Sequence, residues 1–259
     1  KSVLAVTGKS GQDVADLFKI SSTEVISKED NLALIHFFVF SKDAGANIDI
    51  LHHHIFARHT GILMWMEGLN GLDFKSCTSE TIFDQFSNIQ YPEFYKNEEF
   101  LRTIFANYKL QEQNTVLLCP YANSVKKLPN VFWEKLTDTL LEKGYCVCTN
   151  SVGEQEPPIR GTPAVFIPYK YSVPFLERAG YLVSLRSGFN DVTSSAHCKM
   201  AVLYPENDFR RGLAATLSSR ASFSMQTMYE RRDVIEMDVD TKNIYQVINN
   251  IVCMFRSSN

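Results

Sequence analysis

Hydrophobic and polar positions fall into two regimes along this chain, divided near the polar stretch "QEQN" at 111–114. Beyond it, short runs that are apolar at nearly every position alternate with amphipathic stretches. The apolar runs are "TVLLC" (115–119), "YCVCTN" (145–150), "AVFIPY" (164–169), "YLVSLRS" (181–187) and "KMAVLYP" (199–205). Between them lie a helical pattern over 130–143 stopped by Gly144, a second over "SVPFLERAG" (172–180) and a short third over "DVTSSAHC" (191–198). A strand that alternates apolar with polar has one wet face, whereas one apolar throughout is covered on both, so this order predicts βαβ units around a parallel sheet. Its crossovers should be right-handed, and its ligand loops should leave the C-terminal ends of the strands. The tail adds a helix near 208–220, a strand "DVIEMDVD" (233–240) and an amphipathic helix "TKNIYQVINNIVCMF" (241–255) that packs back across the body.

The first part is less regular. It predicts a strand "SVLAVTG" (2–8), a helix near "GQDVADLFKI" (11–20), and strands "NLALIHFFVF" (31–40) and "IDILHHHIF" (48–56). "GILMWMEGL" (61–69) fits either type, and helices follow around "SETIFDQFSNI" (79–89) and "PEFYKNEEFLRTIFANYKL" (92–110). The expected organisation is an α/β chain with residues 1–112 as a short first half, 113–208 as a Rossmann-like second half and 209–259 as a helical segment on the body.

Composition narrows the partners. With 259 residues, 45% hydrophobic and 21% charged, the chain can bury a sizeable core, and a net charge of −3 excludes coating of nucleic acid or of an acidic membrane. An anion site must therefore be a local cluster for a small ligand. The six cysteines show no CxxC spacing, "CVC" reads as buried strand, and a reduced, cytoplasmic compartment fits them. No signal peptide or apolar stretch of about 18 residues is present, although a chain that starts at Lys1 can be part of something longer. Neither GxGxxG nor GxxxxGK[ST] occurs, which argues against a dinucleotide oxidoreductase or a P-loop NTPase.

The candidate chemistry sits in three loops after strands: "YANSVKK" (121–127), "TNSVGE" (149–154) and "RSGFND" (186–191). Lys126, Lys127, Arg186, the small Ser187 and Gly188, and a helix starting near Asp191 would make a positively biased cleft suited to a diphosphate. Solvated lysines and an Arg186–Asp191 ion pair are the competing reading. Glu154 can hydrogen-bond a ribose hydroxyl or stand in a solvated acidic loop.

"PYANSVKKLPNVFWEKLTDTLLEKGYCV" resembles a segment of the ADP-heptose:lipopolysaccharide heptosyltransferases in which a strand ends in Pro-x-Ala-Ser, followed by Lys-x-Trp-Pro, a helix and a strand. "YLVSLRSGFNDVTSSAHCKMAVLYP" is similar to that family's second signature, Asp-Thr-Gly before a helix and a strand ending in Tyr-Gly-Pro. The resemblance covers residues 115–205 and implies a GT-B glycosyltransferase: two Rossmann-like halves with a parallel sheet flanked by helices, the first half short here, binding acceptor in the first half and nucleotide sugar in the second. It implies no cofactor and no metal, a glycan or polysaccharide acceptor, and a cytoplasmic location compatible with peripheral association at the inner membrane. By position, Lys126 matches a lysine that contacts donor phosphate, Asn123 stands at the family's serine with Ser124 beside it in the donor loop, and Gly188 matches the glycine of the second signature. Arg186 stands where that family has Asp, which is more reminiscent of fucosyltransferases, where a basic residue stabilises the leaving diphosphate. Asp191 replaces a histidine.

In the first half, "GKSGQDV" is similar to the family's short Gly-Asp-Val loop with Gln12 inserted, which makes Asp13 the position for a general base. Its alternative is a helix-capping charge. "LHHHIFARH" holds four of the six histidines. His52 and His54 share a strand face as acceptor contacts, and a three-His metal site with His59 lacks a carboxylate or Cys at ligand spacing. His197 reads as structural. Two other classes compete with a transferase: a non-catalytic sugar-nucleotide or glycan-binding module, to which a short first half points, and a sugar-nucleotide epimerase of similar architecture.

Overall fold

Thr115–Cys119 is buried at every position because both of its faces are covered, and that strand is the centre of the sheet. The computed structural model describes residues 3–18, 22–40, 92–122, 125–205, 220–231, 233–240 and 242–257. The chain divides into two compact units, Lys1–Glu93 and Phe94–Asn259.

In the first unit, β1 (Leu4–Thr7) and β2 (Thr23–Ile26) pair in parallel and are joined through α1 (Gly8–Ala15). The run 31–40, expected as a strand, belongs instead to a helix, α2 (Lys28–Phe40). An unbroken apolar run carries no period that separates strand from helix. The deciding signal lies just upstream, where the Ser27 hydroxyl accepts from the Asp30 N–H at 2.9 Å and donates to its carboxylate at 2.8 Å, with Glu29 and Asp30 acidic in the first turn. The segments expected over 48–56, 61–69 and 79–89, and most of the helix expected near 208–220, lie outside the described residues.

The second unit starts before the expected boundary at 113. Its first helix, α3 (Glu98–Asn107), is capped by Asn97, whose side chain accepts from the Phe100 N–H at 3.0 Å, and buries Leu101, Ile104 and Phe105 in the same core as the sheet. There follow β3 (Thr115–Cys119), α4 (Asn130–Glu142), β4 (Cys146–Asn150), β5 (Ala164–Val165), α5 (Tyr169–Ala179), β6 (Gly180–Leu185), α6 (Gly188–Val192) and β7 (Lys199–Pro205). The tail holds α7 (Arg220–Phe223), α8 (Met225–Tyr229), β8 (Val234–Val239) and α9 (Ile244–Arg256). The strand expected over 233–240 in the tail is β8, and it joins the sheet as its sixth strand.

All pairings in this sheet are parallel and the order is β5-β4-β3-β6-β7-β8. Two apolar layers cover it. Leu117, Leu182, Met200, Val202 and Tyr204 face α3, α5 and α8, while Val116, Leu118, Val183, Ala201 and Leu203 face α4 and α9. This is the period-two alternation of a strand with core on both sides. Phe132 and Trp133 of α4 are 0% and 1% exposed, and truncating either to Ala should cost about 3–5 kcal/mol. At the start of β6, Gly180 has φ +96°, and a Cβ there would lie 3.1 Å from the Gln113 backbone, so the entry to this strand requires glycine. Among the described residues no helix is long and apolar enough to cross a membrane.

Candidate functional site

Numbered in the order they occur, the six strands run 3-2-1-4-5-6, and the order reverses between β3 and β6. At such a reversal the crossovers from the two central strands leave to opposite sides, opening a crevice at their C-terminal ends where ligands of open α/β sheets bind. Cys119 pairs with Ser184, so the loops beginning at Pro120 and Arg186 leave the sheet side by side. The topology thus brings "YANSVKK" and "RSGFND" to one edge.

The β3 loop is anchored at both ends and polar between. Pro120 and Leu128 are buried, while Lys126 and Lys127 are exposed. Neither lysine forms an ion pair with a described residue; the ammonium of Lys127 lies over the Tyr121 ring, 5.9 Å from its centroid. The loop runs into α4, whose N-cap Pro129 makes no side-chain cap hydrogen bond. Two cations therefore precede the positive end of a 13-residue helix. Asn123 and Ser124 lie outside the described residues.

The next loop, after β4, folds on itself. Ser151 Oγ donates to the Glu156 carbonyl at 2.5 Å, the Glu156 N–H donates to the Gly153 carbonyl at 3.1 Å, and Glu154 is exposed at the tip of this turn. Its far side is tied to the β3 loop, because the Tyr121 hydroxyl donates to the Pro157 carbonyl. Burial, helped by the Glu156 charge, raises the Tyr121 pKa above the ordinary phenol value, so the hydroxyl keeps its proton as donor.

The β6 loop is built differently. Arg186 is 6% exposed, and its five N–H groups all meet protein acceptors. Nε donates to the Phe223 carbonyl at 2.8 Å, Nη1 to the Ser187 carbonyl at 2.7 Å and to Asp191 Oδ2 at 2.9 Å, and Nη2 to Asp191 Oδ1 at 2.6 Å and to Met228 Sδ at 3.9 Å. Burial opposes the charge, but the Asp191 carboxylate outweighs it and the pKa lies above the ordinary arginine value. Asp191 also accepts from the Tyr229 hydroxyl at 2.9 Å. Arg186, expected to grip a diphosphate, is thus turned into the protein and forms the ion pair that was its alternative. The helix expected over 191–198 starts instead at Gly188. Asp191 therefore stands inside α6, facing Arg186. Asn190 is fully buried and fixes the turn, its carboxamide accepting from the Ser187 N–H at 2.9 Å and donating to Ser184 Oγ at 2.6 Å. Ser187 is half-buried and Gly188 exposed, and a Cβ at Gly188 would meet no atom within 4 Å.

Behind this loop a second polar group is enclosed. The Glu236 carboxylate of β8 accepts from the Tyr204 hydroxyl, from Ser224 Oγ at 2.6 Å and from the N–H groups of Met225 at 2.7 Å and Gln226 at 3.3 Å. The Tyr204 hydroxyl oxygen also lies 3.0 Å from the Phe223 carbonyl, the acceptor that Arg186 uses, so its one proton is shared between that carbonyl and Glu236. Burial, then the Glu236 charge, pushes the Tyr204 pKa far up. These contacts pin residues 223–229 to the sheet. No sequence signal marked Tyr121, Tyr229 or Glu236, because each acts on partners 10 to 38 residues away.

In the first unit, Asp13 is the sixth residue of α1 and so does not cap its first turn. It is about two-fifths exposed and pairs with Lys9 at 2.8 Å, one helical turn before it. His52 and His54 lie outside the described residues. Among the described residues no three His, Cys, Asp or Glu side chains cluster as metal ligands would. The exposed His197 lies at the opposite end of the sheet from the two loops, beside the start of β7, and its backbone N–H donates to Glu177 Oε1 at 3.3 Å.

No family model matches the chain, and no curated protein matches it by sequence. Solved structures do. The glycosyl transferase family 9 protein from Veillonella parvula is 10% identical, matched over 99% of this chain and 97% of that one with a TM-score of 0.51. The ADP-heptose LPS heptosyltransferase II of E. coli is 14% identical over 68% of this chain with a TM-score of 0.48, and the match spans 57% of that protein's length. E. coli heptosyltransferase WaaC with ADP is 11% identical over 68% of this chain and 52% of that one, at a TM-score of 0.41. At such identities the likeness is one of fold: an α/β, GT-B-like architecture with a parallel sheet flanked by helices.

Proposed function

We propose that this chain is a glycosyltransferase that moves a sugar from a nucleoside-diphosphate donor to a glycan or polysaccharide acceptor. The observation that carries the reading is the strand-order reversal with two lysines, Lys126 and Lys127, that no described carboxylate pairs with, in the loop leaving it. A diphosphate needs cationic partners that are not already neutralised, and among the described cations near this crevice these two qualify whereas Arg186 does not. The donor site consists of the 123–127 loop, the N-terminus of α4 and the turn at Ser187 and Gly188, with Glu154 toward the ribose. Asp191 stands behind the turn, paired with Arg186, while Asn190 holds the turn itself. In the first unit, Asp13 takes the acceptor proton, and His52 and His54 contact the acceptor. Transfer needs no metal, because the lysines and the helix terminus offset the charge that builds on the leaving diphosphate; turnover should be unchanged by EDTA.

The test is a thermal-shift and titration screen with ADP, GDP, UDP and CDP. A ligand at about 100 times its Kd stabilises the folded state by about 2.7 kcal/mol. A saturable shift with at least one is the expected result, and none with any of them removes the reading. A second reading, a non-catalytic sugar-nucleotide-binding module, is favoured by the full commitment of Arg186 to protein partners. Binding of a nucleotide sugar without its hydrolysis or transfer over a panel of acceptors would favour it.

A further inference from the structure

We propose that Tyr121 is a positioning residue for Lys127: its ring is a platform that holds the ammonium toward the crevice, and its hydroxyl, bonded to the Pro157 carbonyl, fixes that ring. The inference rests on the nucleoside-diphosphate reading above and singles out Lys127 from Lys126.

A lysine on an exposed loop is a flexible chain, and ordering it around an anion costs rotamer freedom comparable in free energy to the ion pair it forms. Lys126 has no described side-chain partner to reduce that loss. Lys127 has one, with its Nζ 5.9 Å from the Tyr121 ring centroid, at the outer range of a cation–π contact. No described carboxylate pairs with it, so the ring orients the charge without neutralising it.

The ring is itself held. Tyr121 stands two residues after the end of β3 and is half-buried, and its hydroxyl bonds to the Pro157 carbonyl of the neighbouring loop. That acceptor is stiff. Pro157 and Pro158 have fixed φ, and the loop is closed on one side by the Ser151–Glu156 bond and on the other by the Ile159 N–H to Thr149 Oγ1 at 3.2 Å. Stiffness therefore passes from β4, through the Pro157 carbonyl, to the Tyr121 ring and on to Lys127. The same latch gives "SVGEQEPP" a role beyond its acidic tip.

The experiment is a titration of the full chain with the nucleoside diphosphate that binds wild type best, repeated for Tyr121→Phe, Tyr121→Leu, Lys127→Met and the double variant Tyr121→Leu/Lys127→Met, with melting temperatures alongside. A cation–π contact at an exposed site corresponds to a change of about two- to fivefold in affinity. Tyr121→Leu should weaken binding by that factor, and Tyr121→Phe, which keeps the ring but frees it, by less. In the Leu background, Lys127→Met should lose at least half of the effect it has in wild type, because the lysine is already unpositioned. A structural staple alone would not produce this coupling: it would lower the melting temperature for Phe and Leu alike and leave the Lys127→Met effect the same in both backgrounds, which would overturn the proposal. Failure of wild type to bind any of the diphosphates would overturn the nucleotide reading itself and this inference with it. Wild-type binding with full additivity overturns the inference alone.

Discussion

Two loops leave neighbouring strands at the same end of one sheet, and both carry cations, yet they treat them oppositely. After β3, Lys126 and Lys127 stand in solvent without a described counter-ion. After β6, Arg186 is buried and meets five acceptors, two of them on Asp191. The difference follows from chemistry and position. A planar guanidinium suits a fixed, bidentate carboxylate and several carbonyls at once, whereas an ammonium on a flexible stem suits a partner that comes and goes. In a crevice that both loops border, one cation builds the wall and, in the function proposed above, the others meet the donor.

The largest effect expected from breaking this contrast is at Arg186. Removing the guanidinium strands the Asp191 carboxylate, takes the Arg186 donor from the Ser187 carbonyl and leaves the Phe223 carbonyl one donor fewer. Arg186→Ala should therefore lose about 3 kcal/mol of stability by urea or thermal unfolding, with nucleoside-diphosphate affinity within about twofold for the protein that remains folded. Arg186→Lys should recover little, since three rotatable donors cannot reproduce five in a plane. A well-folded Arg186→Ala protein with turnover reduced about a hundredfold would reverse the assignment and make Arg186 the partner of the leaving group.

The double substitution Lys126→Ala/Lys127→Ala is the converse. Both side chains are exposed, so the melting temperature should stay within the equivalent of about 0.5 kcal/mol. Nucleoside-diphosphate affinity should fall about tenfold or more, and the wild type's loss of affinity with added salt should flatten in the variant. A large loss of stability with intact binding would mean that these lysines, too, belong to the wall.

How much of this was legible in the chain follows from what each signal reports. Strand identity and the parallel sheet showed in the unbroken apolar runs, because burial on both faces leaves that mark. So did the Gly144 stop and the amphipathic α9, residues Ile244–Arg256. The helix over 28–40 did not show in its apolar run, and only Ser27 with Asp30 marked it. For Asp13 the local sequence allows a helix cap, which the start of α1 at Gly8 rules out. For Arg186 the sequence held both outcomes, an anion grip or a pair with Asp191. The choice depends on Phe223 and Met228, which are 37 and 42 residues away and close around the guanidinium only in the fold. Local pattern reports burial and propensity; it does not report which distant carbonyl completes a side chain.

The smallest effect tests how tightly the wall is joined. Tyr229 donates to Asp191 Oδ1, an oxygen that also accepts from Arg186 Nη2. Tyr229→Phe keeps the ring and removes only the donor, and the carboxylate retains its guanidinium, so no buried charge is left uncompensated. The expected loss is about 1 kcal/mol, the net value of one hydrogen bond to a group already paired. That is a few degrees in melting temperature, with nucleoside-diphosphate affinity unchanged. Affinity stays unchanged because the Ser187 turn keeps its own support from Asn190, whose carboxamide bonds both Ser187 and Ser184. If affinity instead dropped tenfold at constant stability, the segment that carries Tyr229 would have to reach the ligand through Asp191. The division between a buried cation that builds and exposed cations that bind would then give way to one connected site.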